Sequence, residues 1–250
     1  MDRSVAQRAR TGFREGSWSF TLYPGAGEGG GSFRSAAGPE NGRQWTGPPE
    51  DPRDIAGRRA RGKVRRYCAE HRLNRLGTLT YAGAGCHDPV QLRRDVGRFF
   101  RLLRGEVGEP FPYLWVPEWH KTGHGLHVHF AVGRFVRQTV IRDAWGHGFV
   151  HIKLLGHLPV GSGTWAEARL AAGYLSKYLS KDLAEGQRDG LHRYEVAQGF
   201  QPPFFRLVGS SADNVLAWAE AIMEAKAGHV WRSRDEERWS GPPAMWASWT

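Results

Sequence analysis

Residues 76–226 are expected to form an α+β domain, on three observations. Alternating and helical periodicities follow one another in the order β-α-β-β-α-β. The two middle strands are separated only by a short turn. A long helix closes the series. That order is the split βαβ, ferredoxin-like (RRM-like) arrangement: an antiparallel sheet with helices on one face, here with an additional C-terminal helix.

Each element has its own signal. Leu76-Gly-Thr-Leu-Thr-Tyr81 alternates as a strand does. Asp88-Pro89 supplies an N-cap followed by proline at the first helical position, and Leu92, Val96, Phe99, Phe100 and Leu103 then recur on one helical face. Tyr113 to Trp119 is a strand, Lys121-Thr-Gly-His-Gly125 a turn, and Leu126 to Val132 the strand that returns. Phe135 to Trp145 holds a short helix closed by Gly146 and Gly148. Phe149 to Leu155 is apolar and β-branched enough for a fourth strand. Thr164, with Glu167 three residues on, forms a capping box that opens the last helix. In this topology the third strand is central.

The flanks have less pattern. Residues 1–52 carry ten Gly and five Pro with no surviving period, and are expected to be a disordered tail. Residues 53–75 hold nine Arg or Lys against two acids, with Ala60, Val64, Tyr67, Cys68 and His71 at helical spacing. This predicts a basic helix with one narrow apolar stripe. Residues 227–250 mix charge, Gly241-Pro242-Pro243 and scattered Trp, and are expected to be a second tail.

Composition narrows the partners. The 250 residues include 35 Lys plus Arg against 25 Asp plus Glu, a formal charge of +10. That balance favours nucleic acid or an anionic surface as partner. There is no apolar run of membrane-spanning length and no apolar secretion-signal core, and Cys68 and Cys86 are the only cysteines. A membrane location, a disulfide framework and a cysteine-based zinc site fall away, and a cytoplasmic location is expected.

Two constellations carry chemistry. His127 and His129 sit at i and i+2 of the central strand, so both imidazoles face one side of the sheet. Glu118, across the turn on the preceding strand, can reach that side as a third ligand; His120 and His124 rank below it because they lie at or in the turn. Two imidazoles and a carboxylate suit Mg2+ or Mn2+ acting on phosphate. The second constellation is Tyr174-Leu-Ser-Lys177-Tyr178-Leu-Ser-Lys181. Tyr174, Lys177, Tyr178 and Lys181 fall within one stripe about 100° wide, apart from the apolar face formed by Ala168, Ala171, Ala172, Leu175, Leu179 and Leu183. A phenol is a weak nucleophile at its usual pKa of about 10, so nearby cations and an electrophilic phosphate are what its chemistry requires. Arg58, Arg59, Arg61, Lys63, Arg65 and Arg66 of the basic helix are the candidate phosphate contacts.

With these residues in view, the chain resembles the HUH endonucleases, specifically the rolling-circle replication initiator (Rep) proteins of plasmids and single-stranded DNA phages. Thr78-Leu-Thr-Tyr81 resembles their first motif. Glu118 with Gly125-Leu-His127-Val-His129-Phe resembles the metal motif, and Tyr174 to Lys181 the two-tyrosine catalytic helix. Trp145-Gly-His-Gly-Phe-Val150 is similar to a turn and strand of these initiators. The likeness covers roughly residues 58–184. It implies that His127, His129 and Glu118 hold the metal and that Tyr174 or Tyr178 attacks a phosphodiester, leaving a 5′-phosphotyrosine and a free 3′-OH. It also implies that Lys177 and Lys181 assist, and that the partner is single-stranded DNA at a replication origin.

Many viral initiators carry a helicase domain, and none is evident here. Gly57-Arg-Arg-Ala-Arg-Gly62-Lys63 imitates a phosphate-binding loop, but Val64 stands where the metal-binding Ser or Thr belongs and no apolar strand precedes it. Unwinding would fall to a host helicase. Two other readings are weighed. A single-strand DNA transposase of the same superfamily shares the motif order but typically has one tyrosine. A non-enzymatic RNA-binding module would carry an aromatic-rich central strand, whereas Leu126 to Val132 has two histidines and one Phe.

Overall fold

The computed structural model describes residues 16–35, 52–154, 165–184, 192–237, 239 and 241–249. The chain divides into two compact units, one made of residues 1–49 with 202–250, the other of residues 50–201.

The first unit corrects both expected tails. Strands β1 (Ser17–Tyr23) and β2 (Glu28–Arg34) form an antiparallel hairpin. They join β8 (Phe205–Gly209), β9 (His229–Arg232) and β10 (Ala244–Ser248) in a sheet of order β8-β1-β2-β10-β9. Helix α5 (Ala212–Met223), capped by the Ser211 side chain, closes over it. Phe20, Leu22, Val215, Ala219, Met245 and Ala247 form the buried core. The glycine run that looked like a tail is a strand for a steric reason. A Cβ at Gly29 would enter the Phe20 ring, and one at Gly31 would strike the Ser19 carbonyl oxygen. Glycine is the residue that lets a neighbouring backbone and ring come this close.

The second unit holds the expected series. Helix α1 (Pro52–Glu70) leads into β3 (Arg75–Tyr81), α2 (Pro89–Val107), β4 (Tyr113–Trp119), β5 (Leu126–Val132), α3 (Gln138–Trp145), β6 (Gly148–Leu154), α4 (Trp165–Ala184) and the short β7 (Glu195–Val196). All pairings are antiparallel and the order is β6-β3-β5-β4-β7, so β5 is central. The domain therefore begins at the basic helix and ends near residue 201, not at 226.

Local signals account for the ends. Asp88 accepts a bond from the Val90 N–H at 2.8 Å, and Gly108 closes α2 in the left-handed region at φ 81°. Gly146 closes α3 in the same way at φ 64°. Thr164, the expected cap of α4, lies outside the described residues; Glu167 is buried and accepts from Asn74 Nδ2 at 2.8 Å.

Alternation along the strands gives the sheet two faces. Leu126, Val128, Phe130 and Val132 point into one core with Leu92, Val96, Phe99, Phe100 and Leu103 of α2 and with Ile141 and Trp145 of α3. Leu76, Leu114, Val116 and Ala131 point the other way, under Ala60, Val64, Tyr67 and Cys68 of α1 and Ala168, Ala171, Ala172 and Leu175 of α4. The two crossover helices share one face, as expected. The basic helix and the tyrosine helix share the opposite one. His127 and His129 alternate with Val128 and so belong to that second face.

Candidate active site

The register of the β4–β5 hairpin assembles the site. Glu118 stands directly opposite His127, and Val116 opposite His129. On the other side of β5, Thr78 of β3 is opposite His129. Residues directly opposite each other share a face. Glu118, His127, His129 and Thr78 therefore cluster at the end of the sheet beyond the apolar row Leu76–Ala131–Leu114.

His129 is fixed at both nitrogens. Its Nε2–H donates to Glu118 Oε2 at 2.7 Å, because a carboxylate can only accept, and Nδ1 lies 3.1 Å from Thr78 Oγ1. In the neutral ring Nδ1 accepts from the threonine hydroxyl. The imidazole is buried, so each of these bonds keeps a polar group satisfied away from water.

His127 is different. Its Nε2 is buried with no hydrogen-bond partner. Burial is the main reason its pKa falls from 6.5 to about 4; the neighbouring His120 and His129 push the same way, against the pull of Glu118. At neutral pH the ring is therefore uncharged. In its Nδ1–H tautomer it presents a lone pair at Nε2, and a neutral imidazole is the form that binds a metal.

The two rival ligands are otherwise engaged. His120 stacks on His127 with ring centroids 4.4 Å apart and pairs through Nδ1 with Thr122 Oγ1 at 2.7 Å. His124 Nε2 donates to the Tyr81 carbonyl at 3.0 Å.

The donor set fits a hard or borderline divalent ion: one unpartnered buried imidazole, one imidazole already aligned, and one carboxylate. Among the described residues, no three His, Cys, Asp or Glu side chains already stand as a ready group of ligands. The carboxylate and His129 are spending their donor atoms on each other.

Helix α4 brings the tyrosine. It packs on α1, β4 and β5 through Ala168, Ala171, Ala172 and Leu175. Its small side chains allow close approach. Tyr174, one residue before Leu175, is half-buried at the edge of that contact. Its ring stands edge-on to His129, with centroids 6.3 Å apart and planes at 77°. Lys177 Nζ lies 5.8 Å from the centre of the Tyr174 ring. Tyr178 and Lys181 are on the same helix within the same stripe, but their side chains lie outside the described residues.

Lys153 is a participant that the sequence did not single out. Its Nζ is 4.8 Å from the Tyr174 ring centre, closer than that of Lys177. Its only prior signal was register: β6 pairs with β3 so that Lys153 is opposite Leu76 and His151 opposite Thr78. That places both on the histidine face.

The six basic residues proposed for DNA stand as the apolar stripe requires. Ala60, Val64, Tyr67 and Cys68 are buried, while Arg58, Arg59 and Lys63 are exposed and Arg61, Arg65 and Arg66 partly so.

Fold and site together define an antiparallel α+β domain whose central strand carries a histidine pair beneath a tyrosine helix. Comparison with known families gives it a more particular likeness. Residues 74–183 match the model of the replication-associated protein ORF2 family. The matched span runs from the residue before β3 into α4 and contains every site residue named above except those of α1. No curated protein and no solved structure matches the chain. The match supports a replication-associated role. Among the described residues, no helix is long and apolar enough to cross a membrane.

Proposed function

We propose that this chain is a rolling-circle replication initiator of the HUH type, a nuclease that nicks and rejoins single-stranded origin DNA through a tyrosine. The observation that carries the reading is the contact of Tyr174 with His129, which sets a phenol against the buried histidine pair inside the segment that matches replication-associated proteins.

His127, His129 and Glu118 would hold Mg2+ or Mn2+. Such an ion, when bound, supplies polarisation of a phosphate oxygen and neutralises charge that develops on it. The remaining work belongs to the chain itself. Tyr174 Oη attacks the phosphorus of the scissile phosphodiester and loses its proton to solvent. The new O–P bond forms as the P–O3′ bond breaks, and the departing 3′ oxygen takes up a proton. The products are a 5′-phosphotyrosine and a free 3′-OH. Rejoining is the reverse displacement, with a 3′-OH as nucleophile and the tyrosine as leaving group. Lys177 places an ammonium beside the reacting ring, where it can hold a phosphate oxygen. Thr78 keeps the His129 ring oriented whether or not Glu118 is engaged elsewhere. A second tyrosine one turn along, Tyr178, would serve the second strand transfer that closes the product circle. Strand separation would come from a host helicase, and the host element would be a plasmid or phage.

The test is covalent capture. Labelled origin single strands incubated with the protein in Mg2+ or Mn2+ should co-migrate with the denatured polypeptide, and Tyr174→Phe should abolish or strongly reduce that band. Adduct formation that survives in Tyr174→Phe, Tyr178→Phe and the double variant would remove this helix from the chemistry.

A further inference from the structure

We infer that the edge strand β6 is the track along which single-stranded DNA reaches Tyr174, with Phe149 stacking a base and Lys153 holding a phosphate beside the tyrosine. The assignment of Tyr174 as nucleophile rests on the proposed function; the binding track itself does not.

Register supplies the first argument. β6 is the outermost strand of its sheet on that side. Thr78 stands opposite both His129 and His151, Thr80 opposite Phe149, and Leu76 opposite Lys153. Phe149, His151 and Lys153 therefore line up along the face that carries the histidine pair, while Val150 and Ile152 turn into the opposite core. From Phe149 to Lys153 the row extends about 13 Å at the usual rise of a strand.

Exposure supplies the second. Phe149 is 72 % exposed, although Val150 and Ile152 already meet the packing needs of this strand. His151 and Lys153 are exposed as well. A large aromatic ring left in water at the edge of a polar row contributes little to the fold, but it offers a π-face to any base.

Position supplies the third. Lys153 Nζ is 4.8 Å from the centre of the Tyr174 ring, so a phosphate brought to the phenol oxygen also comes within reach of this ammonium. A cation that tracks the backbone, alternating with an aromatic that accepts bases, is how proteins grip a single strand without reading its sequence. The formal charge of +10 favours the same polyanion.

The experiment measures binding of a fluorescent oligo-dT by anisotropy in EDTA, using the full chain with Tyr174→Phe as the parent so that no covalent step intervenes. Phe149→Leu in that background should weaken binding about 5- to 100-fold, and Phe149→Trp should restore it. Lys153→Gln should reduce the salt dependence of binding by about one phosphate contact, and Lys153→Arg should keep it. Both substituted side chains are exposed, so unchanged melting temperatures should accompany the losses. Parent-like binding by Phe149→Leu and Lys153→Gln overturns the track. Equal affinity and equal losses with oligo-rU would overturn the restriction to DNA. The two readings separate cleanly. Adduct formed by the native tyrosine at an undiminished rate in both variants, with oligonucleotide below saturation, would sink the track and leave nicking intact. Weakened binding in a protein that never forms an adduct would do the reverse.

Discussion

His129 Nε2 and Glu118 Oε2 are 2.7 Å apart, although they are not directly opposite in the β4–β5 ladder: Val116 is the partner of His129, and Glu118 that of His127. The carboxylate thus leans along its strand toward the diagonal histidine and leaves His127 Nε2 unpartnered. A buried lone pair beside a carboxylate that can swing back is a site with room for one more charge. Glu118→Gln keeps the shape and a hydrogen-bond partner for His129 but removes the charge. It should weaken Mn2+ binding by at least about tenfold, read by calorimetry or by the spin signal of free Mn2+. His127→Ala should do the same. Unaltered Mn2+ affinity in both variants would show that the ion, if bound, sits elsewhere.

The low pKa of His127 has a consequence for stability. Its folded value is about 4 against 6.5 for an ordinary histidine. Between those values the unfolded chain takes up a proton that the folded chain refuses, so stability rises with pH across the window. The contribution is fully present above about pH 6.5 and is lost as pH falls toward 4, amounting to about 3 kcal/mol when complete. Melting temperatures of the ion-free protein should therefore drop between pH 6.5 and 4. The drop should shrink in His127→Gln, whose amide does not titrate there. An identical acid profile in the variant would mean that other groups carry the acid sensitivity.

Much of the second unit was legible because its signals are local. The apolar faces of α2 and α3, the Asp88-Pro89 cap and the turn before Gly125 are written within a few residues of where they act. Glu118, His127 and His129 were found for the same reason: a hairpin brings neighbours in sequence together. Lys153 was not, because its approach to Tyr174 depends on the register of β6 against β3 and on how α4 crosses the sheet, neither of which leaves a local trace. The first unit was hidden more completely. β1 pairs with β8 and β2 with β10, partners separated by most of the chain length, and three successive glycines contradict strand propensity. Their meaning appears only once Phe20 lies across them.

That steric account of the glycines can be tested directly. Gly31→Ala places a methyl group on the Ser19 carbonyl, and the two strands cannot separate without losing the ladder between them. Destabilisation of about 1–3 kcal/mol is expected, typical of forced overpacking. Hydrogen exchange should show it as lost protection in β1, β2 and β10, with α2, β4 and β5 unaffected. By contrast, Gly30→Ala should be mild, because a Cβ there meets its nearest atom, of the Trp246 ring, at 3.4 Å. Equal effects at the two positions would rule out close approach as the reason for the run.

The basic face of α1 poses a different question, because a row of cations on a helix is often no more than a solvated surface. The helix is anchored by Ala60, Val64, Tyr67 and Cys68, so Arg58, Arg59 and Lys63 can be changed on its exposed side without touching the core. If they meet phosphates, each neutralised contact releases counterions when the strand binds, and each loss lowers the slope of log affinity against log salt by roughly 0.7 for single strands. Arg58→Gln, Arg59→Gln and Lys63→Gln combined should therefore reduce the slope by about two while weakening all oligonucleotide sequences alike, since phosphate contacts carry no sequence information. A solvated face would behave otherwise: affinity would fall slightly through the reduced net charge, but the slope would scarcely move. A slope unchanged within error in the triple variant would return α1 to a purely structural role, leaving the grip on DNA to the residues around Tyr174.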